Sequence, residues 1–155
     1  VGTSERLLEP LGVLPHPAGV FSCSAEGELA ATACGDKCAR LWSLSTFECV
    51  RVLQHDAPGI SVAILSVRLR GGVLASGGED KVVKLWPATE EHGNLASMEC
   101  VATLAHGDTV RGIAISSKGF VASIGGDAKK LVVRRAAVAA PGDLTSKLLG
   151  RGKRK

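Results

Sequence analysis

The sequence predicts an all-β fold made of three copies of one small antiparallel unit. Three observations predict it. Nineteen glycines and six prolines punctuate a chain that is 45% hydrophobic and dominated by Val, Ala and Leu, with no long helical stripe. The stretch "CGDKCARLW" ending at Trp42 recurs as "GGEDKVVKLW" ending at Trp86, so the two tryptophans close the same kind of turn-then-strand segment. Each copy also follows a histidine, at His16, His55 and His106.

The elements follow in order. After His16 come "GVFSCS", "ELAATACGD", "KCARLW" and "ECVRVLQ", which lead to His55. After His55 come "ISVAILSV", "VLASGGED", "KVVKLW" and "ECVATLA", which lead to His106. The third copy runs through "VRGIAIS" and "FVASIGGD" to "KKLVV". Short apolar runs bounded by Gly and Asp turns read as strands. The expected boundaries are 16–54 for the first repeat, 55–105 for the second with a loop insert at 87–98, and 106–138 for a three-stranded third. Residues 1–15 are expected to hold the outer strand of a neighbouring or closing unit, and 139–155 to form a basic tail.

The spacing has chemical content. Four residues before each turn Asp stands a hydroxyl, giving Thr32 with Asp36, Ser76 with Asp80 and Ser123 with Asp127. Six residues after it stand Trp42, Trp86 and, in the third copy, Val133. A hydroxyl, a carboxylate and an indole brought together with the incoming histidine satisfy one another's hydrogen-bonding needs in a dry interior.

These residues resemble the WD-repeat family of β-propellers. The resemblance implies four-stranded blades fastened by a structural network of His16, Thr32, Asp36 and Trp42; of His55, Ser76, Asp80 and Trp86; and of His106, Ser123 and Asp127. Ser43 and Pro87 stand where the family's second signature residue, Asp, follows the tryptophan. Rings of this kind usually need about four to eight blades. Three copies therefore imply a segment of a longer propeller, a ring shared with a second copy, or one continued by another protein.

His, Ser and Asp together also suggest a hydrolase triad. A nucleophile is built once, however, and this set occurs three times with an indole attached, which favours a structural role and a non-catalytic protein. The glycine-rich turns lead into strands where phosphate cradling requires a helix, and no cofactor is expected. Five cysteines (Cys23, Cys34, Cys38, Cys49, Cys100) lack disulfide or zinc spacing, so no metal is expected.

The expected function is a protein-interaction scaffold whose partners are other proteins. The candidate contact residues are Lys37, Asp56, Lys81, Asp108, Thr109 and Arg111, with Arg111 foremost because arginine is enriched at hot spots. The net charge of +4 comes largely from the end of the chain, where Lys147, Arg151, Lys153, Arg154 and Lys155 cluster. That tail supports the alternative of an RNA- or ribosome-associated assembly factor, with nucleic acid contacted through the tail only. No apolar run reaches membrane-spanning length, so an intracellular place in cytoplasm or nucleus is expected, with no membrane partner.

Overall fold

The computed structural model describes residues 9–56, 62–88, 99–126, 129 and 131–135. Eleven strands and no helix occur among them. The first sheet holds β1 (Val20–Glu26), β2 (Leu29–Cys34), β3 (Cys38–Ser43) and β4 (Cys49–Gln54). The second holds β5 (Ile64–Arg70), β6 (Val73–Gly78), β7 (Val82–Pro87) and β8 (Ala102–Ala105). The third holds β9 (Val110–Ile115), β10 (Phe120–Gly125) and β11 (Leu131–Arg135). Each is an antiparallel meander in chain order, so every strand pairs with its sequence neighbours.

The sheets stack face to face, and alternation along each strand decides what lies between them. Ala31, Ala33, Ala39, Leu41 and Leu53 of the first sheet pack against Ile64, Val67, Leu69, Leu74 and Trp86 of the second. The opposite face of the second sheet offers Val73, Ala75, Val83 and Leu85 to Val110, Ile115 and Val121 of the third. Strand β6 is consequently buried along its whole length, which explains why "VLASGG" is small and apolar on both faces.

In the first two sheets the turns between second and third strands are three-residue connections closed by a left-handed residue. Lys37 (φ 72) and Lys81 (φ 64) hold that position. Two inner-strand hydroxyls cap a neighbouring edge. Ser22 Oγ accepts from the Val67 N–H at 3.3 Å, and Ser24 Oγ accepts from the Leu69 N–H at 3.0 Å. Amides that β5 leaves unpaired are thereby satisfied across the sheet interface.

Residues 9–19 run without strand pairing, and residues 1–8, the rest of the segment anticipated as the outer strand of a neighbouring or closing unit, lie outside the described residues. Pro10, Pro15 and Pro17 lack the N–H that a ladder needs, and Gly12 lies against the Phe47 ring. In the third copy Val133 does not occupy the tryptophan's place. Trp42 stands opposite Ala30 and Trp86 opposite Leu74, whereas Arg134 stands opposite Val121 in the equivalent pair. The pairing of Ile124 with Leu131 encloses six residues, where Ala33 with Ala39 and Gly77 with Val83 each enclose five, and a one-residue slip turns every side chain to the other face. Val133 therefore points away from the second sheet and is 54% exposed.

It joins Phe120, Ile124 and Leu131 on a face of the third sheet that no described residue covers.

Candidate interaction end and the network that holds it

The His16, His55 and His106 rings lie against the hydroxyls of the second strands, Thr32, Ser76 and Ser123. In the second sheet the Trp86 indole N–H donates to Ser76 Oγ at 2.8 Å, and Ser76 Oγ lies 2.7 Å from His55 Nε2. His55 Nδ1 lies 2.6 Å from Asp80 Oδ2. With the ring proton on Nδ1, every donor meets an acceptor: indole to hydroxyl, hydroxyl to Nε2, Nδ1–H to carboxylate. Ser76 is 0% and His55 1% exposed, so no substrate reaches this hydroxyl. The trio fastens a turn.

The first sheet repeats the pattern with one change. Trp42 donates to Thr32 Oγ1 at 2.9 Å, and His16 Nε2 lies 2.8 Å from the same oxygen. His16 Nδ1 donates to the Leu14 carbonyl at 2.8 Å and makes no contact with Asp36. Asp36 is taken instead by Arg40, whose Nη1 donates to Oδ1 at 3.1 Å and Nη2 to Oδ2 at 2.5 Å. The Arg40 hydrogen bonds, aided by the Cys34 thiol, the Arg40 charge and the Cys38 amide, outweigh burial and hold the Asp36 carboxyl at about 2. Arg40 is pushed upward by the same pairing. In the second sheet the residue at Arg40's position, Lys84, lies 5.7 Å over the Trp86 ring, and Asp80 is left to the histidine.

In the third sheet His106 is turned the other way, with Nδ1 2.9 Å from Ser123 Oγ. Its Nε2 is buried with no hydrogen-bond partner among the described residues. Asp127 lies outside the described residues. Arg134, in the indole's register, donates from Nη2 to the Ala105 carbonyl and so ties β11 to the strand before His106.

Asp56, Lys37, Lys81, Asp108, Thr109 and Arg111 all come to the end of the stacked sheets that carries the turns between second and third strands. Cys38 pairs with Gln54, so the Lys37 turn sits beside the exit of β4, and the His55 amide donates to the Lys37 carbonyl at 3.2 Å. The same link runs from His106 N–H to Lys81 O at 2.9 Å, and Gly126 N–H donates to Thr109 O at 3.1 Å. Asp56, Lys81 and Arg111 are exposed, while Lys37, Asp108 and Thr109 are half-buried. The basic tail residues Lys147, Arg151, Lys153, Arg154 and Lys155 lie outside the described residues.

Sequence reasoning missed Arg51, which is buried on β4 and stacks 5.8 Å from the Trp86 ring centroid with its Nη1 unpartnered among the described residues. Burial lowers its basicity. Cys34 and Cys38 are both buried, and burial foremost raises the Cys38 thiol. No cluster of three metal-ligating side chains occurs among the described residues.

Stacked four-stranded meanders, each fastened by indole, hydroxyl and imidazole, meet the matching sequence profile, described as "WD domain, G-beta repeat", at residues 8–43 and 47–87. The chain belongs to the WD-repeat family. Solved structures agree on the propeller fold. The computationally designed Ika4 protein superposes with a TM-score of 0.63 at 17% identity, covering 80% of this chain and 70% of that one. The structure of U3-55K gives 0.66 at 21% identity, covering 79% of this WD-repeat chain and 38% of U3-55K. The designed Ika8 protein gives 0.60 at 18%, with 76% of this chain and 33% of that one covered. The chain thus spans well under half the length of the last two. No curated protein matches it significantly in sequence.

Proposed function

We propose that this WD-repeat chain is a non-catalytic scaffold that binds other proteins through its turn-bearing end, as part of a larger ring or assembly. WD repeats generally serve protein interaction. The observation that carries the reading is the buried network itself. It spends His, Ser or Thr, and Trp on fixing the turns, so the exposed residues on those turns are presented in place and little ordering entropy is lost on docking. The third-sheet face that no described residue covers supports the second half of the proposal, with further repeats of a longer chain, a second copy or another protein continuing the stack.

The test is retention of partner proteins on the immobilised full chain, compared with a variant carrying Lys37→Glu, Lys81→Glu and Arg111→Glu. Proteins held by the wild type and lost by the variant support the reading. Equal retention by both, or none by the wild type, overturns it.

A further inference from the structure

The outer strands of the first two sheets are entered through the same three residues, Glu48-Cys49-Val50 and Glu99-Cys100-Val101. Both thiols turn back on their own backbone. Cys49 Sγ donates to the Arg51 carbonyl at 3.5 Å, and Cys100 Sγ donates to the Ala102 carbonyl at 3.2 Å. What surrounds them differs. Cys49 is exposed, whereas Cys100 is half-buried and packs against the core between first and second sheets, which contains Trp86.

Register brings a guanidinium to the same place. Arg51 pairs with Leu41 on the outer edge of the first sheet, and its Cζ reaches across to lie 5.8 Å from the Trp86 ring centroid. On the outer edge of the second sheet Lys84 pairs with Thr103, and Cys100 Sγ lies 3.7 Å from Thr103 Oγ1. Lys84 and Trp86 share one side of β7, so the thiol, the indole and two cations gather there, with Lys84 Nζ 5.7 Å from the ring centroid. The Cys100 sulfur is within electrostatic reach of the Arg51 charge.

This place lacks an anion. Arg51 and Lys84 form no ion pair with any described residue. Arg51 is nine-tenths buried, and its Nη1 meets no acceptor among the described residues. A guanidinium desolvated in this way is costly until an acceptor reaches it. Nη1 is closed to solvent, so a free anion would have to part the two sheets to reach it. Oxygen atoms placed on the neighbouring sulfur would arrive from within.

We propose that Cys100 is a site of oxidation by peroxides, and that the sulfinate it forms is held by the Arg51 guanidinium. The sulfur, having lost its proton to solvent, attacks one oxygen of hydrogen peroxide. An S–O bond forms, the O–O bond breaks, and the departing hydroxide takes up a proton to become water. Sulfur loses two electrons and the peroxide gains them. A second peroxide repeats the exchange on the sulfenic acid, so one thiol and two peroxides give one sulfinic acid and two waters. The acid is ionised at neutral pH, and its oxygen accepts from Arg51 Nη1 as a charge-assisted hydrogen bond. Oxidation thereby joins the outer strand of the first sheet to that of the second, and turns an uncompensated buried charge into a pair.

The test combines peptide mass mapping with thermal melts of the full chain, before and after hydrogen peroxide. Cys100 is expected to gain two oxygen atoms, and to do so to a greater extent than the more exposed Cys49. The oxidised chain should melt about 3 °C above the reduced one, and Cys100→Ser should show no such rise. Arg51→Met should reverse the sign, so that its oxidised form melts below its reduced form. Arg51→Gln serves the same comparison if Arg51→Met does not fold. Cys100→Asp supplies an anion without any oxidant, and it should melt about 3 °C or more above the double variant Cys100→Asp, Arg51→Met. Cys100 remaining a thiol in peroxide that oxidises Cys49, a wild-type melt that falls on oxidation, or a shift of the same size with and without Arg51 overturns the proposal.

Discussion

At the scale of single residues, the two tryptophans share a hydrogen-bond pattern and differ in what covers them. Trp86 sits in the core between first and second sheets, whereas Trp42 belongs to neither inter-sheet cluster and leans on His16, with ring centroids 4.9 Å apart. Both indoles are buried, at 3% and 6% exposed, and each donates to a buried hydroxyl, so Trp42→Ala and Trp86→Ala should each cost about 3–5 kcal/mol in thermal melts. Arg51 gives the opposite sign. Its guanidinium is desolvated with one nitrogen unpaired, so Arg51→Met, which keeps the stem on Trp86, should be neutral or stabilising by about 1 kcal/mol in denaturant melts. Asp36 makes a pH-dependent contribution. Its folded carboxyl is depressed from 3.8 to about 2, so the stabilisation is fully present above pH 3.8 and is lost as pH falls through about 2. Asp36→Asn should cost on the order of 1 kcal/mol at neutral pH, because the pair is partly exposed and screened, and the difference from wild type should vanish at the acid end.

At the scale of elements, close approach decides which turns need glycine. A methyl on Gly78 would lie 2.1 Å from the Ala63 carbonyl oxygen, so Gly78→Ala forces backbone movement and should cost about 2–3 kcal/mol by chemical denaturation. Cys34 occupies the equivalent place in the first sheet, where its thiol points to the Ala18 carbonyl at 3.5 Å, so the hairpin itself accepts a side chain there. Much of this was legible in sequence. The hydroxyl four residues before the turn Asp marks Thr32, Ser76 and Ser123, and the structure places a histidine nitrogen within 2.9 Å of each. The partner of Asp36 was not legible, because the choice between His16 and Arg40 depends on which cation the third strand places beside it. The register of β11 was hidden as well, since counting from Asp127 misses the one extra residue that the pairing encloses.

At the scale of the whole molecule, the apolar faces are covered unevenly. Two sheet interfaces are closed, while Phe120, Ile124, Leu131 and Val133 are 38%, 47%, 59% and 54% exposed. A contiguous apolar face of this kind normally meets a partner. The triple variant Ile124→Lys, Leu131→Glu, Val133→Lys should sediment as a single smaller species at concentrations where the unmodified chain associates. An unmodified chain that stays monomeric over the same range would remove self-association as the way the face is covered.

The sequence by itself determined that the chain is built of strands, where the turns fall, and which hydroxyls, imidazoles and indoles recur, because alternation and turn chemistry are local. Only the tertiary structure decided that β6 is buried on both faces, that Arg134 and not Val133 takes the indole's register, and that Arg51 and Cys100 come together beside Trp86. Burial on a second face, strand register and contact between sheets depend on a neighbouring sheet or strand, and no local pattern encodes the neighbour.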